Sequence, residues 1–460
     1  MIPDSVAQYL NDNRDRHLES LKEYLRFPSV ANVDRGDEDP CKLCAAWLAD
    51  YLRKLGMTAE VMATPNKPNV LASMHVSDDA PTLLIYGHYD VQPPDPLELW
   101  ESDPFEAEIR DGYIFARGAN DDKGQLFTHL AAIEAWIKCG GLPINVKIFA
   151  EGEEETGSPD LEPFITEHAE ALSSDVIAVS DSAFFADEVP SITYSLRGLA
   201  YVELTVTGPS ADIHSGEHGG AIANPINALT RMVAGMHDDQ GRITLPGFYD
   251  DVAELSDQER QAWSDLPFDA EAYARSMGVE SLGGGERAFS DLERLWSRPT
   301  LDCNGIVGGY TGPGSKTIIP STASVKISMR IVPNQRPEKI VESMRRYVAE
   351  NTPLGVKCGM AVHAGARPVM MGRESAAVSA ASAALEEAFG KPAAMIRCGA
   401  SVPVTELFQR ILGKDAVMMG FGLPGDRLHS PNERFALKQF IRGSLASAAF
   451  INNLAAANDK

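Results

Sequence analysis

Two hydrophobic rhythms alternate along this 460-residue chain. Leu18, Leu21, Tyr24 and Leu25 recur at helical spacing, which predicts one amphipathic helix from about Val6 to Arg26. Asp39-Pro40 predicts the start of a second helix, with Asp as cap and Pro in the first turn, running to Leu55-Gly56. Val70–Met74, Leu83–Tyr86, Val146–Ala150 and Val176–Val179 are short apolar runs bounded by turn residues, the pattern of buried strands. Helical patterns over Gln125–Lys138 and Asp160–Leu172 separate the later runs. Strands alternating with helices predict an α/β sheet with helices on both faces.

From about Leu196 the texture changes. Tyr201–Val206 and Ala323–Val332 alternate apolar with polar, as strands buried on one side do, and a helical pattern covers Pro337–Glu350. These features predict a separate α+β domain over residues 196–366, inserted into an α/β domain formed by 1–195 and 367–460. Buried texture returns after Arg367 and ends in a long helix expected over Phe435–Ala456. The polar stretch Gly241–Arg298 is helical in parts and resists assignment.

Charge and composition narrow the partners. With 41 basic and 65 acidic residues the formal charge is −24, so nucleic acid and anionic membrane are not expected partners. No run approaches the ~20 apolar residues of a membrane span, and Met1–Ser5 shows no signal-peptide pattern. Six cysteines are too sparse for a disulfide framework, which points to a reducing cytoplasm. Cys41 and Cys44 form a CxxC without a second pair and read as inert thiols.

Candidate chemistry gathers at strand ends. Ala116–Gly124, a turn rich in Gly, Asn and Asp, holds Asp121 and Asp122 just before a helix, where a fixed acid can direct both oxygens at one place. In Gly87-His88-Tyr89-Asp90, His88 and Asp90 project to the same side, which suits a His ligand supported by a neighbouring carboxylate. The acidic run Glu151–Glu155 would ordinarily be a solvated loop, but it follows a strand end, where open α/β sheets place their sites. Asp181 occupies the same kind of position, and His429 precedes the last helix. Two imidazoles and several carboxylates are a ligand set for zinc or a similar divalent ion, and Asp121 is placed to be shared by two of them.

Together, GHYDVQP, ARGANDDKG, EGEEETGS, VSDS and HSPNE resemble the di-zinc metallopeptidases that include acetylornithine deacetylase, succinyl-diaminopimelate desuccinylase and glutamate carboxypeptidase. Within that family the likeness is to carnosinase-like cytosolic nonspecific dipeptidases, and it spans nearly the whole chain. The resemblance implies a metallopeptidase catalytic domain on a mixed sheet, an inserted lid and dimerisation domain, and a homodimer. It implies two divalent ions per subunit, zinc first, with manganese or cobalt as alternatives. His88, Asp121 and Asp181 would hold one ion, and Asp121, Glu155 and His429 the other. Glu154 falls on the general base that serves a metal-bridging hydroxide, Asp90 on the supporting acid, and the Asp121–Asp122 peptide is expected to be cis.

In the inserted domain, His214 matches the lid histidine that reaches the partner subunit's site and stabilises an oxyanion. Thr317 and Arg330 match substrate contacts, Arg330 as a bidentate partner for a terminal carboxylate, and Ser401 matches a further carboxylate contact. The stretch from His363 to Pro368 is one residue longer than the family's, which leaves His363 outside the candidate site. The implied reaction is hydrolysis of dipeptides or short peptides. Removal of an acyl group from N-acyl amino acids is the alternative, since the same catalytic residues would serve it.

Overall fold

The structure, a computed structural model, describes residues 1–32 and 36–458. These form two compact units, the first made of Met1–Tyr194, Met371–Ile396 and Val402–Lys460, the second of Ser195–Met370 and Arg397–Ser401.

In the first unit the sheet is mixed. Four short strands, Asn145–Glu151, Thr82–His88, Val176–Val179 and Ala416–Met418, lie side by side in that order and run parallel. Asn69–Met74 and then Thr58–Met62 extend this sheet antiparallel beyond Asn145–Glu151. The parallel strands are almost wholly buried, which their unbroken Val, Ile, Leu and Ala runs require. Helix Lys123–Lys138 is buried on every side from Lys123 to Trp136 and packs against the Thr82–His88 strand and the long C-terminal helix Leu437–Asn458. Close packing at its first turn demands Gly124, because a Cβ there would lie 1.8 Å from the Ala119 carbonyl oxygen.

Three helical expectations need correction, the first being the helix expected over Asp160–Leu172, which runs only over Leu161–Glu167. Residues 6–26 form two helices, Asp4–Asp12 and Arg14–Leu25, that meet at Asn13. At Asn13 the backbone leaves helical geometry, φ −103° and ψ 10°, and its side-chain amide joins its own backbone N–H on the Tyr9 carbonyl at 2.9 Å. The last helix begins at Leu437 rather than Phe435, because Arg434–Ala436 pairs as a strand with Tyr113–Phe115. Helix Pro40–Lys54 starts as the sequence indicates, with the Asp39 carboxylate accepting from the Cys41 N–H.

The second unit is an antiparallel sheet in the order Thr300–Gly308, Thr322–Ile331, Gly198–Thr207, Lys357–Ala366. Val202, Leu204, Val325 and Ile327 face inward against Leu229 and Met344 of helices Pro225–Ala234 and Pro337–Asn351. The Lys357–Ala366 strand carries a bulge at His363, where its register against Gly198–Thr207 slips between Val362 and Ala364. That bulge lies in the stretch read from the sequence as one residue longer than the family's. Gly241–Arg298 contains three short helices, Asp257–Ser264, Ala270–Ser276 and Asp291–Trp296. The first and third open on capping boxes, Ser256 with Glu259 and Ser290 with Glu293. Among the described residues no helix is long and apolar enough to cross a membrane.

His129 shows how tightly the first unit is closed. Its ring is buried between Ser180 Oγ and Ser447 Oγ, each 2.7 Å away, and Ser180 spends its own proton on the Met419 carbonyl. The ring therefore donates from Nε2 and accepts at Nδ1, and burial pushes it down to about 4. An unfolded ring near 6.5 takes up a proton that the folded ring refuses, so stability is lost as pH falls from about 6.5 towards 4. Between pH 7 and pH 5 this residue should withdraw about 2 kcal/mol. Comparing the unfolding of wild type and His129→Gln at the two pH values checks it: the variant should lose less stability on acidification.

Candidate metal centre

Strand order sets the site. Thr82–His88 lies between two parallel neighbours, and the carboxyl ends of all three carry acids or imidazole. His88 ends the middle strand. Glu154 and Glu155 open a single 3-10 turn, Glu154–Thr156, just beyond one neighbour, and Asp181 follows the other by two residues. Asp121 comes from the turn before helix Lys123–Lys138, and its peptide bond to Asp122 is cis, as expected. His429 enters from the loop that precedes Arg434–Ala436 and has a left-handed backbone, φ 58°. For a non-glycine residue that conformation costs about 1 kcal/mol, so it marks a position where the surroundings dictate the backbone.

One carboxylate organises the contacts. His88 Nε2 lies 3.0 Å from Asp121 Oδ1, and His429 Nε2 lies 3.0 Å from Asp121 Oδ2. Each oxygen of Asp121 thus faces its own imidazole. His429 Nε2 is also 3.3 Å from Glu155 Oε2. Two triads result, His88–Asp121–Asp181 and Asp121–Glu155–His429, and in each the donor atoms lie within 4.8 Å of one another.

A surrounding layer of hydrogen bonds holds these groups. Asp90, fully buried, accepts from the Glu154 N–H at 3.2 Å and the Glu155 N–H at 3.0 Å, and its Oδ1 is 3.4 Å from His88 Nδ1. It ties the His88 strand end to the Glu154–Glu155 turn. His88 Nδ1 also lies 3.1 Å from the Asp90 carbonyl, which fixes the ring with Nε2 towards Asp121. Gln92 Nε2 donates to Glu155 Oε2 at 2.8 Å. Glu433 is fully buried and accepts four hydrogen bonds in the Asp121 turn: from Arg117 Nη1 (2.7 Å) and from the N–H groups of Gly118 (3.0 Å), Asn120 (2.9 Å) and Asp121 (3.1 Å). Asp122 turns away from Asp121 and accepts from the His88 N–H at 3.2 Å, so its role is structural.

The electrostatics fit divalent cations. Burial drives Asp181 up to about 7, with the Asp121 charge adding to it. Burial also pushes Glu154 well above the usual carboxylate range. Asp121 goes the other way: burial would raise it, but the hydrogen bonds from His429 and His88 hold it below that range. His429 rises to about 10 through its bonds to Asp121 and Glu155, and His88, despite burial, rises through Asp121 and Asp90. Every one of these shifts comes from burial or from a neighbouring ligand group, and metal ions bind the deprotonated forms of these same groups. The 3.0–3.3 Å nitrogen–oxygen separations match the ~3.3 Å between ligand atoms of a tetrahedral centre with bonds of about 2.0–2.1 Å.

The remaining candidates lie in the second unit and form two pairs. Ile213–His214 pairs antiparallel with Ile318–Ile319, and the Ser215 N–H donates to the Thr317 carbonyl, so His214 and Thr317 share one short ribbon. Arg330 Nη1 donates to Ser401 Oγ at 2.9 Å. His363, left out on sequence grounds, lies against Glu203 at 3.1 Å and the Tyr201 ring.

Residues 84–453 match the family described as Peptidase family M20/M25/M40. The chain belongs to the M20/M25/M40 peptidase family. The Beta-Ala-His dipeptidase of Homo sapiens is 30% identical over 471 residues, 98% of this chain and 92% of that protein. The Cys-Gly metallodipeptidase dug1 of Schizosaccharomyces pombe is 31% identical over 477 residues, 99% of each. Among solved structures, the M20 family metallo-carboxypeptidase Sso-CP2 from Sulfolobus solfataricus matches with a TM-score of 0.85 and 33% identity over 96% of this chain and 99% of that one. As a member of the M20/M25/M40 family the chain is a metal-dependent hydrolase.

Sequence reasoning missed the residues that hold this M20/M25/M40 centre rigid. Glu433 stands inside the HSPNE motif and Gln92 inside GHYDVQP, yet neither motif shows which backbone it will meet. Metal content after loading and dialysis should separate the roles. Asp121→Ala should lose both ions, whereas Asp181→Ala and Glu155→Ala should each lose chiefly one. Glu433→Ala, which touches no donor atom of either triad, should weaken metal binding about 10–100-fold, read by competition with a chelator.

Proposed function

We propose that this chain is a dinuclear metallo-dipeptidase. The observation that carries the reading is Asp121, with one imidazole on each oxygen and an acid completing each triad. His88, Asp121 and Asp181 would hold one divalent ion and Asp121, Glu155 and His429 the other. Bound there, the ions supply activation of a water and polarisation of a carbonyl. Zinc suits the imidazole and carboxylate donors, and manganese or cobalt would also be accepted.

The rest is work for this chain's own side chains. Glu154 leaves its neighbour Glu155 to bind metal, takes a proton from the attacking water, and delivers it to the departing amine. Asp90 keeps His88 and the Glu154–Glu155 turn in register with each other. Arg330, hydrogen-bonded to Ser401, binds the terminal carboxylate of the substrate, with Thr317 as a further contact. His214 stabilises the oxyanion of the tetrahedral intermediate. We assign residues 196–366 the role of a lid through which a homodimer forms. A cytoplasmic setting agrees with six free cysteines, of which Cys303 is exposed.

Relatives named as dipeptidases favour peptide substrates. The leaving amino acid of an N-acyl substrate carries the same carboxylate, so a panel of dipeptides against N-acetyl and N-succinyl amino acids decides between them. Fast cleavage of dipeptides is expected, and turnover confined to acylated substrates would make the enzyme a deacylase. Glu154→Gln should retain both metal ions and lose about 10²–10⁴-fold in kcat; near-normal turnover would remove Glu154 from its role.

A further inference from the structure

The proposed mechanism gives no task to Arg197 of the second unit. Arg197, just before the Gly198–Thr207 strand, grips the segment Cys398–Ser401 at three points. Its backbone N–H donates to the Cys398 carbonyl at 3.3 Å, and its Nε donates to the Gly399 carbonyl at 3.2 Å. Its own carbonyl accepts the Ser401 hydroxyl proton at 2.6 Å. The same Ser401 oxygen accepts from Arg330 Nη1. With its proton committed to Arg197, the Ser401 hydroxyl serves to aim the Arg330 guanidinium.

The Arg197 guanidinium is clamped from the opposite side by the formerly unassigned 241–298 stretch. Nη1 donates to the Arg298 carbonyl at 3.4 Å. A Cβ at Gly399 would lie 2.5 Å from Arg197 Nη2 and 3.0 Å from the Leu295 carbonyl oxygen, so glycine is needed for this closeness. Among the described residues neither Arg197 nor Arg330 is paired with a carboxylate; their partners are carbonyls and a hydroxyl. Burial, followed by the nearby Arg330 charge, lowers the Arg197 guanidinium to about 10. Asp302 acts the other way on Arg197 without forming an ion pair with it, so the two neighbouring guanidiniums keep an excess of positive charge that favours an anion.

We propose that Arg197 is a positioning residue for recognition of the substrate's terminal carboxylate. It holds the Gly399–Ser401 segment so that Ser401 meets Arg330, and it adds a second positive charge near that pair, so that the enzyme selects substrates with a free C-terminal carboxylate. The inference rests on Arg330 being the carboxylate contact.

The test compares wild type, Arg197→Gln, Arg197→Lys and Ser401→Ala, all metal-loaded, on one dipeptide and on its C-terminal amide. Arg197→Gln should raise KM for the free dipeptide about tenfold with kcat within about threefold, and so lower the acid-to-amide ratio of kcat/KM about tenfold. Arg197→Lys, which keeps the charge and loses the fork, should fall between. Ser401→Ala alone removes the hydroxyl that meets Arg330 and should lower the same ratio; an unchanged ratio there overturns the role given to the Ser401–Arg330 pair, and the inference with it. An unchanged ratio in Arg197→Gln overturns the inference and leaves the dipeptidase reading standing. If that variant does not fold, a full wild-type ratio in Arg197→Lys overturns it instead. A wild type that cleaves acid and amide equally well overturns the assignment of Arg330, and this inference with it.

Discussion

The Glu433 carboxylate is the constraint on which the metal centre depends. Four N–H donors from the Asp121 turn converge on its two oxygens, with the side chain fully buried. A buried acid is costly unless its lone pairs are filled, and here they are filled by the backbone that presents Asp121. Both of Asp121's own oxygens are thereby left free to face His88 and His429. The turn is fixed from outside, so its ligand need not be spent on fixing it.

The same division of labour recurs at the other strand ends. Asp90 satisfies the N–H groups of Glu154 and Glu155, and Gln92 steadies the Glu155 carboxylate. Asp122, one residue from the shared ligand, is buried with a proton affinity raised first by burial, and it supports the His88 backbone. Adjacent acids thus hold opposite roles because their environments differ: Asp121 sits between two imidazoles, whereas Asp122 is fully buried with Asp181 and Asp121 as acidic neighbours and a single backbone N–H from His88.

The legible part of the molecule was the part written in period and motif. Strand runs such as Val176–Val179 and caps such as Asp39 carry their own geometry, and the structure places them where the pattern does. Asn13 was not legible in that way: the apolar stripe runs on through it, while its backbone leaves helical geometry with the side chain bonded back to Tyr9. The capping boxes at Ser256 and Ser290 were present in the sequence as Ser-x-x-Glu, and the polar surroundings hid them. Glu433 and Arg197 belong to a third kind, since their partners lie hundreds of residues away in the chain or on a loop without periodicity. Residue type identifies such groups as ionisable; only tertiary structure says what they hold.

The two units also solve opposite electrostatic problems. The first collects Asp90, Asp121, Glu154, Glu155 and Asp181 at neighbouring strand ends, a density of acid that folding tolerates only with protons or cations among them. The second satisfies Arg197 and Arg330 with carbonyls and a hydroxyl, with no ion pair from either to a carboxylate among the described residues. Neutral acceptors fill the guanidinium's hydrogen-bonding directions without supplying a full counter-charge, and Asp302 acts on Arg197 only from beyond ion-pair distance. The acid density of the first unit suits divalent cations, and the positive charge of the second favours an anion, as the role proposed for Arg330 requires.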